Sequence, residues 1–242
     1  MFKVFMSFIC IMVISISSVS AYSPQDNPIQ QLLYDTAGVY LGETTDELNQ
    51  QNKLGESKFS GGSIIPLEVI GFNGVIVHKN ATVNFFNNQL YYVGISFDDK
   101  DIEKTKKIQT YFVDKLGQPT SVTQATEDMK QMGMTAENYY WTIQTCSILI
   151  GQGHIVFLEE TSAQEVSKLN LINYIKSIYD SKIHPEKYYA GEAGKRFFDA
   201  NTKVIVDSYR ETFEKNPELA NYVKIYFADK PEYAETLKLF FE

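Results

Sequence analysis

Ala81-Thr82-Val83-Asn84-Phe85-Phe86-Asn87-Asn88-Gln89-Leu90-Tyr91-Tyr92-Val93-Gly94-Ile95-Ser96-Phe97 decides the fold. Asn87-Asn88 tolerates the positive φ of a tight turn, so residues 81–86 and 89–97 read as the two arms of a hairpin. Tyr91, Val93, Ile95 and Phe97 alternate onto one apolar face, which marks the core side of a strand. Upstream, Asn73-Gly74 predicts a second hairpin between Pro66–Phe72 and Val75–His78. Downstream, Asn138–Ile150 reads as one long strand rich in β-formers. Gly151-Gln152-Gly153 then returns the chain along His154–Leu158. The pattern implies an α+β fold: an antiparallel sheet of about six strands packed with helices, followed by an all-α C-terminal half.

Helices are placed by their caps. Thr44 with Glu47 forms a capping box, each side chain satisfying a backbone donor of the other, and predicts a short helix to Lys53 with Gly55 as its C-cap. Residues 22–35, with Pro24 and Pro28, read as an exposed lead-in. Asp98 or Asp99 is expected to cap a helix carrying Ile108, Tyr111, Phe112 and Leu116, ended by Gly117 and Pro119. Residues 119–137 read as an irregular loop.

After Glu160 the apolar period changes from 2 to 3.6. Ser162 with Glu165 reads as a second capping box, ahead of the stripe Val166, Leu169, Ile172, Ile175 and Tyr179. Gly191 and Gly194 suggest a loop before a helix at 195–215 with Phe198, Ile205, Tyr209 and Phe213 on one face. Residues 217–227 are echoed at 231–241, each copy opening on Pro-Glu, which predicts two short helices with matching faces. The domain reading is 1–21, 22–160 and 161–242.

Lys3, the apolar run around Val4–Val13 and the small residues Val19-Ser20-Ala21 form a secretory signal pattern, so residues 1–21 are expected to be removed. Loss of Lys3 takes the net charge from −8 to −9. An acidic surface repels phosphate backbones, and no basic stripe appears, so nucleic acid is not an expected partner. No segment of the mature chain reads as a membrane span. Cys146 is then the only cysteine left, so no intramolecular disulfide forms.

Catalytic and cofactor patterns fail one by one. His78, His154 and His184 have no metal-ligand spacing to one another or to Cys146. Cys146 and His154 are too far apart along a hairpin to act as nucleophile and base. Asp98–Glu103 lacks the glycine and bidentate Glu of a calcium loop. Gly191-Glu192-Ala193-Gly194-Lys195-Arg196 has the wrong spacing for a phosphate loop. No metal or other cofactor is therefore expected. Tyrosines crowd the C-terminal half, and Tyr222 and Tyr226 are candidate partner contacts, because aromatics with a polar tip suit interfaces. Tyr139 and Trp141 are candidates on the sheet.

Leu41-Gly42-Glu43-Thr44-Thr45-Asp46-Glu47-Leu48, closing at Leu54-Gly55, and Phe112–Pro119 ahead of an aromatic strand with Trp141, resemble the BLIP-like and SmpA/OmlA-type exported α+β modules of bacterial envelopes. The likeness spans about residues 37–160. It implies protein–protein work in an envelope or outside the cell. The chain departs from those modules in lacking a lipobox cysteine and in adding a helical half.

The leading expectation is an exported, non-catalytic protein that binds another protein, secreted or periplasmic. The alternatives are a secreted enzyme with a dispersed carboxylate site and a small-ligand-binding module using the sheet face near Tyr139 and Trp141. N-terminal sequencing of the exported protein should read from Tyr22. A sequence beginning at Met1 would refute the signal-peptide reading.

Overall fold

The computed structural model describes residues 26–56, 62–69, 71–98, 101–125, 127–131 and 133–242. The expected signal segment 1–21 and Asp99 lie outside them. The described chain forms two compact units divided between Gln164 and Glu165. The first is α+β and the second is helical.

In the first unit, α1 (Pro28–Ala37) and α2 (Thr45–Gln50) precede the short strands β1 (Gly55–Glu56) and β2 (Ser63–Pro66). The small hairpin β3 (Gly71–Phe72) and β4 (Val75–Ile76) follows, then β5 (Asn80–Phe86) and β6 (Gln89–Ser96). Helix α3 (Ile102–Leu116), strand β7 (Ser121–Thr123) and the short α4 (Glu127–Gln131) lead to β8 (Asn138–Ile143), β9 (Cys146–Gly151) and β10 (His154–Glu159). The main sheet has eight strands rather than six, in the order β1-β2-β5-β6-β10-β9-β8-β7, and all its pairs are antiparallel.

The deciding hairpin forms as expected, with Asn87 and Asn88 at φ 49° and 66°. Asn73 and Gly74 likewise turn with positive φ. However, residues 67–69 break the expected Pro66–Phe72 strand, so Pro66 closes β2, and β3 pairs with β4. Val93, Ile95 and Phe97 are buried on the core face, joined by Ile148, Ile150, Ile155, Phe157 and Trp141 from β8 to β10. The helices cover this face through Ile29 and Leu33 of α1, Leu48 of α2, and Ile108 and Phe112 of α3.

Several boundaries differ from the sequence reading. The expected lead-in is helix α1: Asn27 accepts from the N–H groups of Ile29 and Gln30, Pro28 takes the first helical position, and Gly38 closes the helix at φ 66°. The Gln30 amide then makes two hydrogen bonds to the Leu41 backbone. The Thr44–Glu47 capping box is present, but Asn52 supplies the left-handed residue after α2 and Gly55 sits in β1. Asp101, not Asp98 or Asp99, caps α3 by accepting from Glu103 N–H. The expected loop at 119–137 contains β7 and α4.

The long strand 138–150 is two strands. The chain reverses at Gln144-Thr145, where Gln144 adopts φ 57° and Ile143 pairs with Cys146. At the next turn only Gln152 and Gly153 are left unpaired, so His154 lies opposite Gly151 rather than Ile150.

In the helical unit, α5 (Glu160–Ile183) is followed by a 3-10 turn at Pro185–Lys187. Then come α6 (Gly191–Lys215), α7 (Pro217–Phe227), a 3-10 turn at Pro231–Tyr233 and α8 (Ala234–Phe241). Ser162 is inside α5. The capping belongs to Glu159, whose carboxylate accepts from Thr161 and Ser162 N–H at 3.2 and 2.7 Å. The buried stripe of α5 is Leu171, Ile172, Ile175 and Ile178, while Leu169 is exposed. Gly194 lies within α6, where a Cβ would sit 3.2 Å from Tyr189 Cβ. A glycine read as loop punctuation is thus a packing site.

The two Pro-Glu helices pack into the helical core, but on different registers. The first buries Val223 and Phe227; the second buries Thr236 and Phe240, the counterparts of Tyr222 and Tyr226. The second copy opens with a 3-10 turn, which advances about 120° per residue instead of about 100°. Three such residues rotate the following face by roughly 60°, in line with the changed face.

Gly94 in β6 explains the placement of Tyr92. A Cβ at Gly94 would meet Tyr92 Oη at 2.5 Å and the ring at 2.9 Å. The ring therefore lies across the glycine on the same face. Gly94→Ala should cost about 1–3 kcal/mol in chemical unfolding, the usual price of overpacking. Tyr92→Leu should absorb much of that cost in the double variant. Strictly additive losses would show that the ring does not need the glycine.

Candidate functional site

Two features of the helical unit concentrate surface chemistry. The first is a groove enclosing about 630 Å³ between α5, α6 and α8. Its α6 wall is Lys195, Phe198, Asp199, Thr202, Lys203, Val206, Asp207 and Arg210. That spacing is one continuous helical face, because steps of three and four return to the same side. At 1.5 Å per residue the face is about 22 Å long. Ile178, Ser181 and Lys182 form the opposite wall, and Leu239 of α8 stands at one end.

Local contacts hold this groove open in shape. Phe198 packs against the rings of Tyr188 and Tyr189, at centroid distances of 5.8 and 5.6 Å. Tyr188 in turn donates to Asp180 at 2.9 Å. Arg210 Nε donates to the Leu239 carbonyl at 2.7 Å, tying α8 to α6. The floor is apolar: Ile178 and Val206 are buried. The rim is charged, with four cations against Asp199 and Asp207. Lys195 is paired with Asp199 at 2.8 Å, whereas Lys182 and Lys203 make no ion pair within the described residues. Hydrogen bonding and the charge of Asp199 raise the Lys195 pKa, so this ammonium stays charged at neutral pH.

The second feature holds the sequence candidates Tyr222 and Tyr226. Both are half-buried, and ammonium groups of the same chain already cover them. Lys168 lies 5.4 Å from the Tyr222 ring, and Lys176 and Lys230 lie 5.0 and 4.6 Å from the Tyr226 ring. Lys176 also donates to Tyr226 Oη at 2.8 Å. These rings are spent largely on internal cation–π contacts.

The sheet candidates lie in the other unit. Trp141 is 2% exposed, and its indole N–H donates to the Gly117 carbonyl at 2.9 Å. Its burial leaves no ring face for a partner. Tyr139 packs on it at 5.9 Å and is only partly open. Tyr139 and Trp141 thus belong to the sheet unit, and Tyr222 and Tyr226 to the helical unit. The groove residues Lys182, Lys203, Phe198 and Arg210 were missed by the sequence reading. The repeating cation spacing along 195–210 was their available signal.

Reactive groups of the sheet unit are positioned for structure. Cys146 pairs with Glu159 while His154 pairs with Gly151, five pairs away, or about 17 Å along the strands. Burial, with help from nearby Glu159, pushes the Cys146 thiol up to about 12, which holds it in the unreactive thiol form. Burial lowers the His154 pKa, so the ring is neutral at pH 7. Among the described residues no group of three His, Cys, Asp or Glu side chains could hold a metal, and no helix is long and apolar enough to cross a membrane.

Glu160 is a carboxyl whose pKa burial raises. Its Oε1 is buried with no hydrogen-bond partner among the described residues. Burial raises its pKa above the ordinary value, a Ser147 hydroxyl opposes that shift, and the charge of Glu159 adds to it. A raised pKa means the folded state disfavours the anion. The penalty is full above the folded pKa and vanishes as pH falls toward the unfolded value near 4.5. Glu160→Gln should therefore raise the melting temperature at pH 7.5 by roughly 2–4 °C per kcal/mol recovered. The gain should close by about pH 4.5. Thermal scans showing no gain at pH 7.5, or one that grows on acidification, would contradict this assignment.

Comparison with known proteins returned no matching family model, no matching curated protein and no matching solved structure.

Proposed function

We propose that this chain is an exported, non-catalytic protein that binds another protein through its helical unit. The observation that carries the reading is the distribution of apolar surface. Among the described residues, Leu169, Ile183, Phe197, Val204, Ile225 and Leu239 of the helical unit are large, apolar and exposed. Among the described residues of the larger sheet unit, the exposed ones of this kind are Tyr34, Ile76 and Val122. An excess of exposed apolar side chains on one unit makes it the better candidate for an interaction surface. Phe197 is 71% exposed and Val204 54%; seven residues apart, they share one face of α6, a face that does not line the groove.

The N-terminal signal pattern supports export, and the resemblance of residues 37–160 to exported envelope modules points to the same compartment and class of work. Two reactive side chains weigh against the enzyme alternative: the Cys146 thiol is buried and the His154 ring, its pKa lowered by burial, is neutral at pH 7. The burial of Trp141 argues against a ligand site on the sheet.

Chemical cross-linking in the native cell, followed by mass spectrometry, tests the reading. The wild-type protein should yield a defined partner. Phe197→Asp with Val204→Asp should abolish that cross-link with the fold unchanged by circular dichroism. Ile76→Asp, equally exposed but on the sheet unit, should not. A cross-link lost only with Ile76→Asp, or no partner at all, would overturn the proposal.

A further inference from the structure

The sheet unit carries a second property, independent of the proposed partner surface. We infer that His154 and Asn138 form a proton-binding pair: in acid the His154 ring gains a second N–H and donates it to the Asn138 carboxamide oxygen. A buried histidine can then take up charge without opening the β8–β10 end of the sheet.

Asn138 supplies the acceptor. It opens β8 and is 2% exposed, and its Oδ1 is buried with no hydrogen-bond partner among the described residues. Leaving such an atom unpaired forfeits its hydration with nothing in return. His154 supplies the donor. Its Nδ1 lies 3.0 Å from the Gln152 carbonyl, and a carbonyl only accepts, so Nδ1 holds the ring hydrogen. The neutral ring therefore has a lone pair at Nε2, and a proton taken up in acid goes to that atom. Gly151 shows where the two groups meet. A Cβ built there would lie 2.6 Å from Asn138 Oδ1 and 2.7 Å from His154 Nε2. Both acceptors thus lie against the same backbone position of β9. A proton on Nε2 turns that pair of acceptors into a charge-assisted hydrogen bond.

The polar groups around the pair have other tasks. Gln152 Oε1 accepts from Thr135 and Ala136 N–H at 2.9 and 3.1 Å, and its Nε2 donates to the Gly133 carbonyl at 3.1 Å. Among the described residues of the elements packed around the ring, Asp98 after β6 is paired with Lys104, and Glu137 before β8 accepts from Gln124. At the far ends of the strands, Glu159 caps α5 and Cys146 is held as the thiol. Residues 133–136 carry no titratable side chain.

Burial lowers the His154 pKa, and the Gln152 carbonyl opposes that shift. A ring with a lowered folded pKa supports the fold fully above the unfolded value near 6.5 and loses that support as pH falls through the folded value. An acceptor beside Nε2 favours the charged form and so limits the loss. Leucine at 138, close in size but apolar, should enlarge the loss in acid. At neutral pH the same change removes an unpaired buried acceptor, so it should not destabilise there.

The test is an NMR titration of the imidazole resonances of the whole protein from pH 8 to 4. His154→Gln assigns the His154 signals among the three histidines. The neutral His154 ring should show the Nδ1–H tautomer. Its midpoint should fall by at least one pH unit in Asn138→Leu and rise by at least one in Asn138→Asp, a stronger acceptor. In thermal melts Asn138→Leu should match or exceed the wild type at pH 7.5 and fall below it at pH 4.5. A midpoint unchanged or raised in Asn138→Leu would overturn the inference, as would the Nε2–H tautomer or a wild-type ring still neutral at pH 4. Equal destabilisation by Asn138→Leu at both pH values would reduce Asn138 to a packing residue and overturn it too. Zinc moving the His154 signals of the wild type at pH 7.5 would replace the proton with a metal. If Asn138→Leu does not fold, the Asn138→Asp midpoint decides, and a value at or below the wild type refutes the pair.

Discussion

Trp141 joins the two layers of the sheet unit. Its ring sits in the core, 6.4 Å from Phe112 of α3, and its indole N–H reaches the carbonyl of Gly117 just beyond the end of that helix. The helix end leaves carbonyls without intrahelical partners, and the indole satisfies one of them without bringing water inside. The same residue therefore supplies apolar area and closes a polar account. With Cys146 the only described cysteine and free, no covalent staple holds these layers together. Registration of helix on sheet depends on contacts of this kind, of which the Asn27 amide bond to the Ile143 carbonyl is another.

How much of this was legible in the sequence depended on distance along the chain. The Thr44–Glu47 capping box, the Asn87-Asn88 turn and the face of β6 involve neighbours within a few residues, so their chemistry is written locally. The division into a sheet unit and a helical unit was readable for the same reason: the apolar period changes near Glu160. The turn at Gln144-Thr145 was not readable, because a glutamine at positive φ carries none of the usual turn signals. Helix α1 was hidden by Pro28, which looks like a breaker although it occupies the one helical position that tolerates it. In α5 the amphipathic pattern is nearly uniform, and packing chose Leu171 and Ile178 over Leu169.

The groove was the least legible feature. Its walls come from three helices, and only one of them shows the pattern in sequence. A basic rim inside an acidic chain does not appear in any total of charge. It arises because helix packing points Lys182 of α5 toward the same space as Lys195 and Lys203 of α6. Local charge here is a property of placement, which composition does not report.

The edges of the sheet carry a different consequence. It ends in β1, two residues long, on one side and β7, three residues long, on the other. An open sheet normally offers its outer strands as templates, with rows of unpaired amides and carbonyls that invite another chain to add itself. Edges this short present a few such groups at most, too few to hold an added strand in register. Growth of the sheet by accretion, whether as aggregation or as recognition, is thereby discouraged at both ends, and the molecule can be crowded with its long inner strands out of reach.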